Sequence, residues 1–325
     1  MAGIALDLSL LVLGIGVLYF GAEWLVRGSV RLASSIGVSP IVVGLTIVSL
    51  GTSAPELVVC VVAALGGNSD LAIGNVMGSN LANIGLILGL TSLVRPIDVQ
   101  SRVVWRDMPI MLLVTLSVIP LSLDGELSGW NGILLLLFLP AYFAFVFRSV
   151  SNEPSSASAE HSRFAKESAN SSAAMRGQDV LLILSGSGFL VLGGYFIVEA
   201  AVGVASALGI SQVVIGLTVV AVGTSLPELA TSIVAVARRQ TDIAVGNVIG
   251  SNIFNIAAVL GATSLVKPIP IPESVLSREL LAVIGISLLL FPLLRRGWKI
   301  EKWEGAVLVA AYIGIGFVLL GPMSQ

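Results

Sequence analysis

Charge is what this sequence has least of. Only 11% of its 325 residues are Asp, Glu, Lys or Arg, whereas 56% are hydrophobic and the mean hydropathy is +1.00. Soluble domains carry about 25% charged residues, so the deficit excludes a soluble globular protein. Several apolar runs reach the ~20 residues that cross a bilayer as a helix. The composition therefore predicts an all-α polytopic membrane protein with the lipid bilayer as its environment.

Cysteine and histidine are nearly absent, with Cys60 and His161 the single examples. One cysteine cannot form an intrachain disulfide, so the redox compartment stays open. The first apolar run carries Asp7 and follows no basic segment, so we expect an uncleaved helix rather than a signal peptide. An intramembrane hydrolase would need a base such as His or Lys within the membrane, and the apolar runs contain neither. We therefore expect no enzyme, no cofactor and no nucleic-acid partner.

Hydropathy predicts ten membrane spans. They cover residues 5–26, 39–65, 71–93, 107–123, 129–147, 180–202, 211–237, 243–265, 275–294 and 303–321. The stretch 149–178 is rich in Ser and Ala and cannot bury a core, so it is predicted to be a flexible linker. With both termini outside, 15 of the 17 Lys and Arg residues fall in inside loops. The distribution of basic residues thus predicts a cell (inner or plasma) membrane protein with a cytoplasmic linker.

An internal repeat divides the chain. Residues 41–97 align with 213–269 at a constant offset of 172 and share 31 of 57 positions. Each repeat, 1–148 and 179–325, contains five predicted spans, and an odd number forces the second repeat to cross the membrane upside down. Inverted repeats are typical of secondary transporters, whose site lies near the bilayer midplane. The fold predicted is ten transmembrane helices in two inverted five-helix repeats.

The matched segments "GTSAPEL" and "GTSLPEL" place Glu56 and Glu228 in mid-span. A carboxylate there costs about 2.5–3.5 kcal/mol on insertion scales, so it needs a cationic partner. A structural pairing with Lys or Arg is the alternative, but no predicted span core contains either residue. Pro55 and Pro227 lack an N–H and leave the carbonyl four residues earlier without its helical donor. A simple kink is possible, yet broken helices that line a cavity are favoured.

The second matched segment reads G-N-x-x-G-S-N-x-x-N, at 74–83 and 246–255. Its last Asn lies four residues after its Ser, so the two side chains share one helix face. We expect helix packing from the glycines and cation binding from the Ser/Asn face. The remaining asparagines are expected to support or pack rather than to bind: Asn75, Asn80, Asn247 and Asn252.

Carboxylate, hydroxyl and amide oxygens suit Ca²⁺, which takes 6–8 oxygen ligands, and Na⁺ of similar size. The absence of His and Cys from the two segments argues against zinc and copper. Two fixed negative charges would balance one Ca²⁺. The sequence therefore predicts Ca²⁺ and Na⁺ as substrates.

The paired segments resemble the two alpha repeats of the cation/calcium antiporter superfamily, in its prokaryotic sodium/calcium exchanger branch. The resemblance implies electrogenic Na⁺/Ca²⁺ antiport by alternating access, with three Na⁺ for one Ca²⁺. We also expect the protein to function as a monomer. The resemblance also implies that the first and sixth helices slide across the other eight. Some relatives carry Asp where this chain has Asn255, which leaves two carboxylates here. The ligands implied are Glu56, Glu228, Ser53, Ser225, Ser79, Ser251, Asn83 and Asn255, with main-chain carbonyls of Thr52 and Thr224.

Two other functions stay open at the level of the sequence. An H⁺/Ca²⁺ antiporter, or one for another divalent cation, could use the same glutamates to carry protons. A passive channel is less favoured, because broken helices in two inverted copies do not form a pore-like ring of repeats.

Overall fold

The computed structural model describes residues 2–151, 173–207 and 221–320, and nearly all of them are helical. The helices are α1 Ala2–Ile36, α2 Pro40–Thr52, α3 Ala54–Leu65, α4 Ser69–Val94, α5 Val103–Leu121, α6 Gly129–Ser151, α7 Ala173–Ala207, α8 Ala221–Thr224, α9 Leu226–Ala237, α10 Thr241–Val266, α11 Val275–Arg295 and α12 Lys302–Leu320. Eight of them are long and apolar enough to cross a membrane, and α2 with α3 adds a ninth, broken span. The described part of the seventh predicted span, 211–237, is α8 and α9; its residues before 221 lie outside the described ranges.

The two ends of the predicted linker, 149–178, are helical. Helix α6 continues to Ser151 and α7 begins at Ala173. The residues between them lie outside the described part of the chain.

Within the described residues, five helical stretches have π-helical rather than α-helical turns: Gly44–Val48, Asn83–Ile87, Val103–Asp107, Asn255–Leu260 and Val275–Glu279. Four of them start at positions related by the offset of 172, namely 83 with 255 and 103 with 275. The repeat therefore extends to local irregularities of the backbone.

The contacts divide the chain into two compact units. Unit 1 comprises residues 1–55 and 143–247, and unit 2 comprises residues 56–142 and 248–325. Each unit thus contains helices from both sequence repeats. The two units are described separately below.

In unit 1, α1 and α7 pack along one another through glycines. A Cβ added at Gly21 would lie 2.7 Å from the backbone nitrogen of Leu190 and 2.9 Å from the oxygen of Gly186. Seven residues earlier, Gly14 approaches Gly193 in the same way. Increasing numbers on α1 meet decreasing numbers on α7, so these equivalent helices of the two repeats are antiparallel.

In unit 2, two short antiparallel strand pairs join loops. Strand β1 (Ile97–Asp98) pairs with β4 (Lys299–Ile300), and β2 (Glu126–Leu127) pairs with β3 (Ile269–Pro270). Helix α5, 19 residues and roughly 28 Å long, separates β1 from β2. Because β3 is equivalent to β1 by the offset of 172 but pairs with β2, the equivalent loops lie at opposite ends of α5. This arrangement is that of an inverted repeat.

The helices that carry the G-N-x-x-G-S-N-x-x-N segments are the most shielded. In the apolar window of α10 every residue is buried, and in that of α4 the share is 72%, whereas α12 buries 17%. Polar side chains on α4 and α10 must therefore find their partners inside the protein or on an ion.

Candidate cation-binding site

Each predicted glutamate follows a break in helical geometry. The break lies at the residue before the turn that contains the proline. Ser53 has φ −85° and ψ 8°, and Ser225 has φ −88° and ψ 4°. These values lie in the sparsely populated bridge region rather than in the helical region. The helices resume at Ala54 and Leu226, so Pro55 and Pro227 occupy the first turn, where a missing N–H is tolerated. The predicted breaks are present at both positions.

In unit 1, the break after α2 meets the glutamate of α9. Ser53 Oγ donates a hydrogen bond of 2.9 Å to Glu228 Oε1, and both side chains are buried. The two residues are 175 positions apart and come from different repeats. The structure thus brings a predicted hydroxyl ligand and a predicted carboxylate ligand into direct contact.

Asn247 connects the same break to the backbone of α9. Thr52 Oγ1 donates to Asn247 Oδ1 at 3.0 Å, while Asn247 Nδ2 donates to the carbonyl oxygen of Glu228 at 3.4 Å and to Ser232 Oγ at 3.2 Å. Asn247 therefore holds the turn that carries the carboxylate. Ser232 was not predicted to take part.

The offset of 172 could have drawn attention to Ser232, because it pairs that residue with Cys60. In unit 2 the equivalent of Asn247, Asn75, donates from Nδ2 to Cys60 Sγ at 3.4 Å. The supporting bond is therefore repeated, with sulfur in place of oxygen.

In unit 2, four buried asparagines on α4 and α10 bond one another. Asn83 Nδ2 donates to Asn252 Oδ1 at 2.9 Å, and Asn255 Nδ2 donates to Asn80 Oδ1 at 3.0 Å. The amide nitrogen of each predicted ligand is thereby used. Within the described residues, Asn83 Oδ1 and Asn255 Oδ1 are buried and accept no hydrogen bond.

These two amide oxygens are the clearest signs of a ligand. A buried amide oxygen without a donor costs about 1–3 kcal/mol, so a protein retains a symmetric pair of them for a reason. Each oxygen belongs to the first residue of a π-helical segment, and such turns are frequent at functional sites. An oxygen with free lone pairs is a ligand for a hard cation such as Ca²⁺.

The remaining predicted ligands are also buried. Thr224 and Ser225 lie in unit 1 at the second break, and Glu56, Ser79 and Ser251 lie in unit 2. Glu56 is in the first turn of α3, as Glu228 is in the first turn of α9, where the positive end of the helix dipole favours a carboxylate. The structure thus keeps all ten predicted residues away from solvent.

Comparison with known proteins gives the family context. The sequence profile described as "Sodium/calcium exchanger protein" matches residues 6–148 and 179–321. The sodium/calcium exchanger MaX1 of Methanosarcina acetivorans is 33% identical, over 97% of this chain and 99% of its own length. The inner membrane protein YrbG of Escherichia coli is 36% identical, over 94% of each chain.

Solved structures are similar over the same extent. A structure of the sodium-calcium exchanger NCX_Mj, soaked with 10 mM Na⁺ and zero Ca²⁺, has a TM-score of 0.83 and 32% sequence identity. The match covers 98% of this chain and 100% of that one. Together with the broken spans and the antiparallel equivalent helices, this match confirms the predicted fold class, a polytopic all-α membrane protein of ten transmembrane helices in two inverted repeats.

Proposed function

The chain belongs to the sodium/calcium exchanger protein family, a family of membrane antiporters, and we propose that it exchanges Na⁺ for Ca²⁺ by alternating access. The observation that carries the proposal is the pair of buried amide oxygens, Asn83 Oδ1 and Asn255 Oδ1. Neither oxygen accepts a hydrogen bond from the described residues, and each lies on one of the most shielded helices. A cation stripped of water would supply what both atoms lack.

Ten residues are proposed to bind the transported ions. Glu228 and Glu56 supply the charge within their respective units, and the Ser and Asn oxygens complete the coordination that Ca²⁺ and Na⁺ share. Thr52 and Thr224 supply main-chain carbonyls at the two breaks. The complete set is Glu56, Glu228, Ser53, Ser225, Ser79, Ser251, Asn83, Asn255, Thr52 and Thr224.

Na⁺ is proposed as the driving ion because neutral hydroxyl and amide oxygens bind a cation but cannot carry a proton. An NCX_Mj structure soaked with Na⁺ and Ca²⁺ supports the same choice of ions. With three Na⁺ exchanged for one Ca²⁺, the exchange would be electrogenic. We further propose that the protein functions as a monomer, with both termini outside the cell and residues 149–178 in the cytoplasm.

The experiment is uptake of ⁴⁵Ca²⁺ into proteoliposomes that contain the full chain and are loaded with Na⁺. We expect uptake that requires the outward Na⁺ gradient at a pH equal on both sides. Uptake that does not depend on the Na⁺ gradient but depends on an imposed pH gradient would contradict this proposal and indicate H⁺/Ca²⁺ antiport. Uptake with no counter-ion at all would identify a channel.

A further inference from the structure

Two buried asparagines that the proposed ligand set leaves out, Asn80 and Asn252, hold each other's helices. Asn80 Nδ2 donates to the carbonyl oxygen of Asn252 at 3.2 Å, and Asn252 Nδ2 donates to the carbonyl oxygen of Asn80 at 3.4 Å. Both side chains are buried in unit 2. The reciprocal bonds fix each side-chain amide with its nitrogen toward the opposite backbone.

This orientation determines which end of each neighbouring amide is used. With its nitrogen committed, Asn252 presents Oδ1 to Asn83 Nδ2 at 2.9 Å, and Asn80 presents Oδ1 to Asn255 Nδ2 at 3.0 Å. An amide has one donor end and one acceptor end. If the amide of Asn83 were reversed, its oxygen would face Asn252 Oδ1 and its N–H groups would face the incoming cation.

We propose that Asn80 and Asn252 are positioning residues for transport: each holds a ligand amide so that its carbonyl oxygen, not its nitrogen, faces the cation. Asn252 acts through Asn83, and Asn80 acts through Asn255. The inference rests on the proposed function, in which Asn83 and Asn255 are ligands. Partners that orient ligands in this way change metal affinity by roughly 10- to 100-fold when they are removed.

The first measurement is equilibrium binding of Ca²⁺ and of Na⁺ to the purified full chain in detergent, by isothermal titration calorimetry. We expect Asn252→Leu and Asn80→Leu each to weaken Ca²⁺ binding by roughly 10- to 100-fold. Asn131→Leu is the matched control. Asn131 Nδ2 donates to the carbonyl oxygen of Leu121 at 2.6 Å in the same unit, so the same kind of bond is lost away from the ligands. This control should bind Ca²⁺ as the wild type does.

A double-mutant cycle separates positioning from simple structural support. The Asn83→Ala variant lacks the amide that Asn252 orients. Adding Asn252→Leu to this variant should therefore not weaken Ca²⁺ binding any further. Asn80→Leu should still weaken binding in that background, because it acts through Asn255. A merely structural role would make both substitutions equally costly in every background.

The outcomes distinguish the inference from the function on which it rests. A wild type that binds neither Ca²⁺ nor Na⁺ would overturn both. A wild type that binds, together with losses that simply add across the cycle, would overturn the positioning role alone. If Asn252→Leu fails to fold, Asn80→Leu with Asn255→Ala provides the same cycle from the opposite repeat.

Discussion

Among the residues proposed to bind ions in unit 1, Glu228 is the one that supplies negative charge. Its Oε1 accepts the hydroxyl of Ser53, and the side chain is fully buried. Glu228→Gln keeps the shape and removes the charge. Removing one member of a buried charge pair costs roughly 3–5 kcal/mol. We therefore expect Ca²⁺-dependent transport to fall by at least two orders of magnitude, measured as initial ⁴⁵Ca²⁺ uptake at equal protein density in the vesicles.

A buried glutamate outside the proposed site provides the control for this substitution. Glu304 is 1% exposed, and its Oε2 accepts the backbone N–H of Glu301 at 2.8 Å, at the start of α12. Glutamine can accept the same bond, so Glu304→Gln should leave uptake unchanged. Equal activity of Glu228→Gln and Glu304→Gln would remove Glu228 from the proposed site.

The roles of single residues in the candidate site were predictable where the repeat singled those residues out. They were less predictable where a residue acts through a neighbouring side chain. The inverted copies singled out Glu228 and Ser53, which lie in contact. Spacing along one helix also placed Asn83 on the same face of α4 as Ser79, and both side chains are buried. It could not show that Asn252, on another helix, would determine which end of the Asn83 amide is left free. That information lies in side-chain geometry between helices, which a one-dimensional pattern does not contain.

At the level of elements, the break between α8 and α9 is expected to require Pro227. Alanine at this position would restore an N–H that can donate to the carbonyl of Gly223 and favour a continuous helix. We expect Pro227→Ala to weaken apparent Ca²⁺ affinity about tenfold, the size typical of disturbed support for a ligand. The measurement is the Ca²⁺ dependence of uptake.

Pro292→Ala is the comparison for that substitution. Pro292 also lies inside a helix, α11, but near its end and in a segment with no proposed ligand. Its replacement should not change the Ca²⁺ dependence. The same shift in both variants would mean that any proline removal perturbs transport, and the break would lose its special role.

The crossing of α1 and α7 depends on some of the glycines of these two helices and not on others. Gly21 meets the backbone of α7 so closely that an added Cβ would lie 2.7 Å from Leu190 N, whereas Gly16 and Gly188 have nothing within 4 Å. The close approach within this pair therefore involves Gly14, Gly21, Gly186 and Gly193. Along α1 it follows a spacing of seven residues, or two helical turns.

Gly21→Ala and Gly16→Ala test this difference directly. Overpacking typically costs 1–3 kcal/mol, so Gly21→Ala should lower the melting temperature in detergent and slow Ca²⁺ uptake. Gly16→Ala should change neither, because its Cβ would enter open space. If Gly21→Ala behaves like Gly16→Ala, close approach of these backbones is not required.

Element boundaries show what hydropathy misses. The first span was predicted to end at residue 26, but α1 continues to Ile36. Two charged residues on either side of the predicted end form ion pairs: Glu23 lies 2.6 Å from Arg238, and Arg31 lies 3.9 Å from Asp179. The π-helical segments left no signal in hydropathy, because they change the hydrogen-bond register and not the composition.

At the scale of the whole molecule, the inverted repeat was predictable because it follows from counting. Five spans per repeat force opposite orientations, and the structure carries the same inversion within each compact unit. In unit 1 the equivalent helices α1 and α7 are antiparallel, and in unit 2 the equivalent strands β1 and β3 lie at opposite ends of α5. The division into units was not predictable, since each unit joins segments that are distant in sequence.

The side of the membrane that each loop faces is the remaining prediction at this scale. Strand pairing places the loops around β1 and β4 together, and those around β2 and β3 together. The excess of Lys and Arg predicts that the first pair faces the cytoplasm. Cys60 is buried and is the chain's single cysteine, so Cys60→Ser gives a background for added cysteines. Asp124→Cys, in the exposed turn before β2, should react with a membrane-impermeant maleimide on intact cells, and Ser101→Cys, after β1, only after permeabilisation. The reverse pattern would mean that the protein has the opposite orientation in the membrane. Reaction of both cysteines on intact cells would contradict the prediction that the two pairs of loops face opposite sides.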